Sequence, residues 1–301
     1  MSSDRSSSSS IVNWSLLESP AVIQQCRQSL QSNGIMTIPN FATAAGITAL
    51  KSEILSCPYN ESTQHYTSYQ DQGDLANYPP THPRNHKVHS SASFVGRKSL
   101  HTTQHRHCIN LYNDARLSTF LSAVVASPKQ LYQSKDENGS VYSYRIESHH
   151  DPPWHFDESH YTAILYLQNS QGGGAFEYVP WCRKTKSVDD VDGHDVIRKV
   201  VMGGEQQKSI DIAIMADDDD DDDSDNKSKL EVQQIRPERG MLLFFSGVHT
   251  FHRVAKVTGP VARVGLVFTY SENEDFCNSE DVKGSNEWDP ADSTKILQDG
   301  H

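Results

Sequence analysis

The spacing of hydrophobic and polar residues divides the chain into a helical first part and a strand-rich second part. Up to about residue 127, apolar residues recur at intervals of three and four, the period of an amphipathic helix. After residue 140 the period changes to two, which is typical of half-buried strands. Helices followed by many short strands predict an α+β chain whose antiparallel sandwich or barrel is backed by N-terminal helices.

Three helices with recognisable ends are predicted in the first part. The first is capped by Ser19, has Pro20 in its first turn and stops at Gly34, and these residue types favour those positions. The second follows from the spacing of its apolar residues, and the third follows from the same spacing with Asp114 as its N-cap. They are predicted at about 43–57 and 114–127.

Short strands and two irregular regions are predicted in the remainder. Residues 58–100 show no clear period and are interpreted as a long loop that, with the first strands and the tail, lines a substrate pocket. Residues 184–230 are charged and include seven consecutive aspartates at 217–223, which indicate a solvated insertion loop. The strands are predicted at 35–38, 141–147, 154–157, 161–168, 175–180, 241–246, 252–257 and 261–270.

The charge and composition of the chain exclude some classes of binding partner. The formal net charge of the 301 residues is -12, and the aspartates at 217–223 and 225 account for most of it. The sequence has no basic face and no apolar run of about 18 residues, so neither nucleic acid nor a membrane is an expected partner. Five scattered cysteines without C-x-x-C spacing favour a reducing compartment, and the cytosol is the expected location. The pattern does not predict an oligomeric state.

His155 and Asp157 are candidate metal ligands, because a strand places residues two apart on the same face. His252, at the start of a later predicted strand, supplies a third ligand. Two histidines and one carboxylate leave coordination positions open, as in non-haem iron(II) oxygenases. 2-Oxoglutarate and O2 can fill those positions. The remote carboxylate of 2-oxoglutarate needs a planar cation, and Arg263, on the strand expected to pair with that of His252, offers bidentate geometry.

Other histidines near these residues are assigned lesser roles. His249 competes with His252 as the third ligand, but the His252-Arg253-Val254 context and the eleven-residue spacing to Arg263 favour His252. The rest are interpreted as surface or packing residues or as neighbours of the site: His101, His105, His107, His149, His150 and His160.

Two segments resemble a known family. WHFDESHYTAILYLQNSQGGGAFEYVPWCR and GMLLFFSGVHTFHRVAKVTGPVARVGLVFTY are similar to the iron(II)/2-oxoglutarate-dependent dioxygenases, above all to the branch of carrier-free amino-acid halogenases and their hydroxylase relatives. The resemblance covers most of residues 34–270. It implies a double-stranded β-helix, a jelly-roll or cupin-like core, with the metal at its open end. The dioxygenase domain is then expected at 15–270, between a disordered tail at 1–14 and a polar extension at 271–301.

Within this resemblance, Asp157 decides the chemistry. The halogenases of the branch have a glycine at this position, and chloride takes the vacated place on iron. Asp157 therefore implies hydroxylation of an unactivated C–H bond in a small polar substrate, such as a free amino acid, with release of succinate and CO2. Relatives that act on amino acids contact the substrate amine through an acidic residue just after the motif. That implies the same role for Glu158, unless it is a surface carboxylate at a strand edge.

Two other functions remain open at this point. One is hydroxylation of a protein side chain, such as a prolyl residue, with residues 58–100 forming a peptide groove. The other is a non-catalytic barrel that senses metal or 2-oxoglutarate. The full set of His155, Asp157, His252 and Arg263 counts against the sensor, because a non-catalytic barrel has no need for all four. The expected partner is a small-molecule substrate.

Overall fold

The computed structural model describes residues 10–69, 82–85, 87–127, 130–183, 197, 200, 232–279 and 282. Helices span Trp14–Leu17 (α1), Pro20–Asn33 (α2), Ala44–Leu55 (α3), Arg97–His101 (α4), His107–Tyr112 (α5) and Ala115–Val125 (α6). The first strands are Ile35–Ile38 (β1), Asn60–Thr67 (β2), Lys87–Val95 (β3), Tyr132–Gln133 (β4), Val141–Ile146 (β5), Tyr161–Gln168 (β6) and Gly172–Gly173 (β7). The later strands are Phe176–Val179 (β8), Gln233–Ile235 (β9), Leu242–Ser246 (β10), Phe251–Val254 (β11), Val257–Thr258 (β12) and Arg263–Ser271 (β13). The predicted α+β class is confirmed.

The helix ends follow local chemistry. Ser19 accepts a hydrogen bond from the backbone of Val22, and Gly34 closes α2 with φ of 67°, a conformation that glycine adopts without strain. Thr43 and Asp114 cap α3 and α6 in the same way. The predicted ends at Ser19, Gly34 and Asp114 are therefore confirmed to within the fraying of a helix end.

A large antiparallel sheet carries the fold. Its strands lie in the order β1-β10-β6-β13-β5-β3-β2, and β4 adds to β13. Every residue of β13 is buried, because strands flank it on both sides and packed layers cover both faces. Along β6, Leu165 and Leu167 join the helices in one core, while Ile164 and Tyr166 face a second core. Because side chains alternate along a strand, β6 contributes to the core beneath the helices on one face and to the second core on the other face.

A smaller sheet, ordered β11-β8-β9, covers the second face, and a two-stranded ladder joins β12 to β7. Phe176 of the small sheet packs against Phe245 of the large one, with ring centroids 5.1 Å apart. The interior between these two sheets holds the candidate site.

The interpretation of residues 58–100 as a loop is wrong. Strands β2 and β3 form a hairpin over eight residue pairs, from Asn60↔Phe94 to Thr67↔Lys87, and β3 continues the large sheet beside β5. The inward positions of β3 include Ser90 and Ala92, which are small or polar and leave little hydrophobic alternation for a sequence pattern to detect.

Two predictions about the site strands also need correction. Residues 154–157 are irregular apart from a single bridge between His155 and His252. Strand β11 pairs with β8, and β13 pairs with β5 and β6, so His252 and Arg263 lie in different sheets. The short ladder of β12 with β7 carries the chain from one sheet to the other, and Arg263 begins β13 instead of lying in its middle.

The ordered body extends past both expected boundaries. Val12 is buried in the core and bridges Ala42, so the fold begins before residue 15. At the other end, β13 includes Ser271, and the carbonyl oxygen of Phe276 accepts a hydrogen bond from the backbone of Lys135. Nearly all of the aspartate-containing segment 184–230 lies outside the described residues. Within the described part, no helix has the length and apolarity that crossing a bilayer requires.

Candidate metal centre

The three predicted ligands converge. Nε2 of His155 and Nε2 of His252 each lie 3.5 Å from Oδ1 of Asp157, and the three atoms lie within 4.8 Å of one another. Reciprocal backbone hydrogen bonds of 2.9 and 3.0 Å hold the two histidines side by side. The structure therefore brings together residues almost a hundred positions apart around one point.

Backbone carbonyl groups fix the tautomer of both histidines. Nδ1 of His155 lies 2.9 Å from the carbonyl oxygen of Pro153, and Nδ1 of His252 lies 2.9 Å from that of Thr250. Because a carbonyl oxygen only accepts, each Nδ1 donates a proton, and each Nε2 turns a lone pair toward Asp157. This orientation by carbonyl groups is typical of metal-binding histidines.

A hydroxyl group and a glycine orient the carboxylate. Thr162 donates to Oδ2 of Asp157 at 2.5 Å, which leaves Oδ1 facing the two imidazoles. A Cβ atom at Gly247 would lie 2.8 Å from Cβ of Asp157 and 2.9 Å from Oδ2, so any larger residue would push the carboxylate aside. Sequence reasoning missed Thr162, which does not belong to the ligand pattern.

The electrostatics favour a bound cation. Burial opposes ionisation of Asp157, but His252 and His155, with the Thr162 hydrogen bond, outweigh it and lower the pKa of Asp157 to about 2. Burial lowers the pKa of His252 to about 4, although Asp157 acts in the opposite direction. At neutral pH the carboxylate is therefore charged and the imidazole of His252 neutral, the protonation states that a divalent metal requires.

A cavity of about 150 Å³ opens beside these ligands. Its walls are mainly apolar and come from both sheets, with Ile164, Phe176, Phe245 and Val267 among them. Residues from the 58–100 region, including Ser90, also line it, as predicted from the sequence. Apolar walls exclude water and strengthen any electrostatic contact made inside.

Arg263 is completely buried behind this cavity. Its Nε donates to the hydroxyl of Tyr144 at 3.1 Å, Nη2 to the hydroxyl of Tyr166 at 3.2 Å, and Nη1 to the carbonyl oxygen of Gly174 at 2.6 Å. All three partners are neutral, and no carboxylate in the described part of the chain pairs with this guanidinium. A buried cation without an anion is costly, so the arrangement calls for a negatively charged partner from outside the chain.

The two tyrosines extend this anion site. Each hydroxyl accepts from Arg263, so its own proton stays available, and no described residue accepts it. Burial raises the pKa of both hydroxyls against the opposing effect of Arg263, which keeps them protonated. Tyr144 lines the cavity, and a Cβ atom at Gly265 would lie 2.4 Å from its hydroxyl oxygen. Together these groups can hold one carboxylate.

A second cluster of possible ligands does not form a metal site. Glu61, His149 and His150 bring their ligand atoms within 4.8 Å of one another. However, Nδ1 of His150 accepts a hydrogen bond of 2.9 Å from the backbone of Glu147. The remaining proton of a neutral imidazole then lies on Nε2, which cannot ligate a metal.

The remaining histidines have other partners. Nδ1 of His249 lies 3.0 Å from the carbonyl oxygen of Arg183, outside the ligand trio. His160 pairs with Ser271 at 2.9 Å. His105 and His107 stack on each other with ring centroids 5.2 Å apart, and His107 begins α5 instead of lying in a loop.

Glu158 lies at the cavity and is only 7% exposed, so it is not a surface carboxylate. Its Oε2 accepts a hydrogen bond of 2.7 Å from the backbone N–H of Ser279. The five cysteines of the chain are all free, and four of them are buried.

Protein-family models and curated proteins give no match to this chain. Solved structures do. The non-haem alpha-ketoglutarate-dependent epimerase SnoN from nogalamycin biosynthesis is 13% identical, with 84% of each chain covered and a TM-score of 0.51. HygX from Streptomyces hygroscopicus is 14% identical over 82% of this chain and 86% of its own, with a TM-score of 0.49. A Pseudomonas putida prolyl-4-hydroxylase is 11% identical over 83% and 99%, with a TM-score of 0.42. At such identities the likeness to SnoN shows a shared fold and nothing further.

Proposed function

We propose that this protein is an iron(II)/2-oxoglutarate-dependent dioxygenase that hydroxylates a C–H bond of a small polar substrate, a free amino acid. The observation that carries the proposal is the pairing of two sets of groups in one interior. One set is the trio of His155, Asp157 and His252, and the other is the buried Arg263 with its two tyrosine hydroxyls. The first fits a divalent metal, and the second fits the end of a dicarboxylate.

The groups on this chain fit both cofactors. Two neutral imidazoles and one carboxylate are the ligand set of non-haem iron(II) oxygenases and leave positions for other ligands. Arg263, Tyr144 and Tyr166 would hold the remote carboxylate of 2-oxoglutarate. When bound, iron with 2-oxoglutarate and O2 supplies the oxidising chemistry, with succinate and CO2 as by-products. The dependence on alpha-ketoglutarate in the name of SnoN, whose fold the chain shares, supports this assignment.

Asp157 supports hydroxylation over halogenation. Its carboxylate is ionised and held by Thr162, so it can occupy a metal position that a halide would otherwise need. We therefore assign the chain to the hydroxylase side of the carrier-free amino-acid branch, with a double-stranded β-helix as the core of a domain that includes residues 15–270. The two packed sheets agree with such a core.

A small substrate is favoured over a peptide by the size of the cavity, about 150 Å³, and by the cover that β3 and the residues after β13 give it. A contact between Glu158 and the substrate amine stays a prediction, and it competes with the hydrogen bond that Glu158 accepts from the backbone of Ser279. The cytosol stays the proposed location, and five free cysteines support a reducing compartment.

The test is succinate formation by the purified protein with iron(II), 2-oxoglutarate and O2, with the free amino acids and proline-containing peptides as additives. We expect stimulation by an amino acid and a product heavier by one oxygen. Asp157→Ala should abolish turnover, and Asp151→Ala, an exposed aspartate nearby, should retain it. Unchanged turnover in Asp157→Ala would refute the ligand assignment.

Other results would select the competing functions. Stimulation by peptides alone would indicate a prolyl-type hydroxylase. Binding of 2-oxoglutarate without any succinate would indicate a sensor. A chlorinated product in the presence of chloride would overturn the argument from Asp157.

A further inference from the structure

The chain returns to the cavity after β13. The backbone of Lys135 donates to the carbonyl oxygen of Phe276 at 2.9 Å, and the side chain of Lys135 pairs with Asp275 at 2.5 Å. Residues 276–279 follow directly after this anchor. Asn278 and Val282 then line the same cavity as the metal ligands.

One hydrogen bond ties this C-terminal wall, residues 276–279 and 282, to the metal site. The carboxylate of Glu158 accepts from the backbone N–H of Ser279 at 2.7 Å, and Ser279 in turn accepts from the backbone of Val282 through its hydroxyl at 3.3 Å. Glu158 directly follows the ligand Asp157 and is 7% exposed. Hydrogen bonds to a buried carboxylate are among the strong ones. Glu158 is therefore placed to orient both lining residues of the wall.

The wall presents a neutral polar group to the cavity. A Cβ atom at Gly139 would lie 2.4 Å from Nδ2 of Asn278, so the absence of a side chain at Gly139 makes room for that carboxamide. Among described residues, none hydrogen-bonds to the carboxamide of Asn278. Its two donors and one acceptor are thus available to a molecule in the cavity.

We propose that Glu158 is a positioning residue: through Ser279 it holds the C-terminal wall over the substrate end of the cavity, so that the Asn278 carboxamide meets an uncharged polar group of the substrate, such as a hydroxyl or an amide. The presence of a substrate rests on the proposed function, but the hydrogen bond itself does not. Under this proposal Glu158 acts through the backbone of Ser279 and not by contacting the substrate amine.

Hydrogen–deuterium exchange of the metal-free protein tests the proposal. Glu158→Ala is expected to speed exchange of the peptide that covers 272–282 by about tenfold or more, since the amide of Ser279 loses its acceptor. Glu158→Gln should exchange like the unmodified protein, because its amide oxygen can still accept. Glu274→Ala, an exposed acid in the same segment, is the matched control. Unchanged exchange in Glu158→Ala, with an unchanged melting temperature, would overturn the proposal.

A second pair of variants covers the case in which Glu158→Ala does not fold. Ser279→Pro removes the donor N–H and leaves Glu158 intact, while Ser279→Ala keeps the N–H; both lose the hydroxyl. Faster exchange in Ser279→Pro than in Ser279→Ala supports the proposal, and equal exchange overturns it.

The glutamine variant also separates the wall from an amine contact. If Glu158→Gln exchanges like the unmodified protein but abolishes stimulation of succinate formation by free amino acids, the carboxylate contacts the amine and the positioning role is overturned. Because exchange is measured without iron or 2-oxoglutarate, failure of the proposed activity leaves this test intact.

Discussion

Replacing Thr162 by valine tests whether the orientation of the Asp157 carboxylate controls metal binding. Thr162 is 3% exposed, and its hydroxyl donates to Oδ2 of Asp157 at 2.5 Å. Valine keeps the shape of threonine and removes only the hydroxyl. A hydrogen bond to a charged group contributes about 1.5–3 kcal/mol, so the carboxylate loses a substantial restraint.

Two effects of Thr162→Val oppose each other. Loss of the donor raises the pKa of Asp157 above its value of about 2 and makes the carboxylate a more basic ligand. It also frees the carboxylate to rotate away from the imidazoles. Since Asp157 is ionised at pH 7 with or without Thr162, the protonation state does not change, and orientation decides the outcome. Loss of such a partner typically weakens metal binding about 10–100-fold, or about 1.4–2.7 kcal/mol.

The assay is a competition titration of Mn(II) or Ni(II) against a fluorescent chelator at pH 7. Thr162→Ser keeps the hydroxyl, so its Kd for the metal should stay within about threefold of that of the unmodified protein. This change is much smaller than the change expected from losing a partner of a metal ligand. Thr269→Val is the matched control, because Thr269 lines the same cavity but donates to the backbone carbonyl of Gly139. Equal metal affinities of Thr162→Val and Thr269→Val would refute the reasoning.

Two further predictions concern Arg263 and His252. Arg263→Gln should raise the Kd of 2-oxoglutarate at least about 30-fold by calorimetry on the Co(II)-loaded protein, since losing one partner of a buried charge pair costs about 2–5 kcal/mol. Arg253→Gln, at an arginine paired with Glu177, should bind normally, and equal loss in both would contradict the assignment. In the metal-free protein the pKa of His252 is about 4, against 6.5 in the unfolded chain. As the pH is lowered from 6.5 to 4, the unfolded chain therefore binds a proton that the folded protein does not bind, and the free energy of unfolding falls. Urea unfolding of His252→Gln should show a smaller fall, and an identical fall would exclude His252 as its source.

The helices were predictable because their signals are local. Each signal acts within one turn of α2 or α6 and does not depend on the rest of the chain. The signals are a serine before a proline, a glycine after a polar turn and an aspartate before an apolar stripe. The hairpin of β2 and β3 was missed for the opposite reason. Its inward residues face a cavity and are partly small and polar, so the hydrophobic period that identifies a strand is weak there.

The candidate ligands could be predicted from spacing, but the residues that orient them could not. His155 and Asp157 share a pattern that survives even though residues 154–157 form no regular strand. Tyr144, Tyr166 and Thr162 come from strands whose neighbours only the sheet order defines. Nothing in the sequence distinguishes these residues from core tyrosines or from a surface threonine.

The amino-acid sequence is enough to show which chemical groups are available: two imidazoles, one carboxylate and one arginine, in an order and spacing typical of a metal oxygenase. How these groups meet depends on the packing of the two sheets. His252 and Arg263 lie on strands of different sheets and not along one paired ladder. The buried arginine with neutral partners, and Glu158 holding the backbone of Ser279, likewise depend on residues brought together from distant parts of the chain. The period of a strand determines on which face of the sheet a side chain lies. The packing of one sheet on another determines which residues that face contacts.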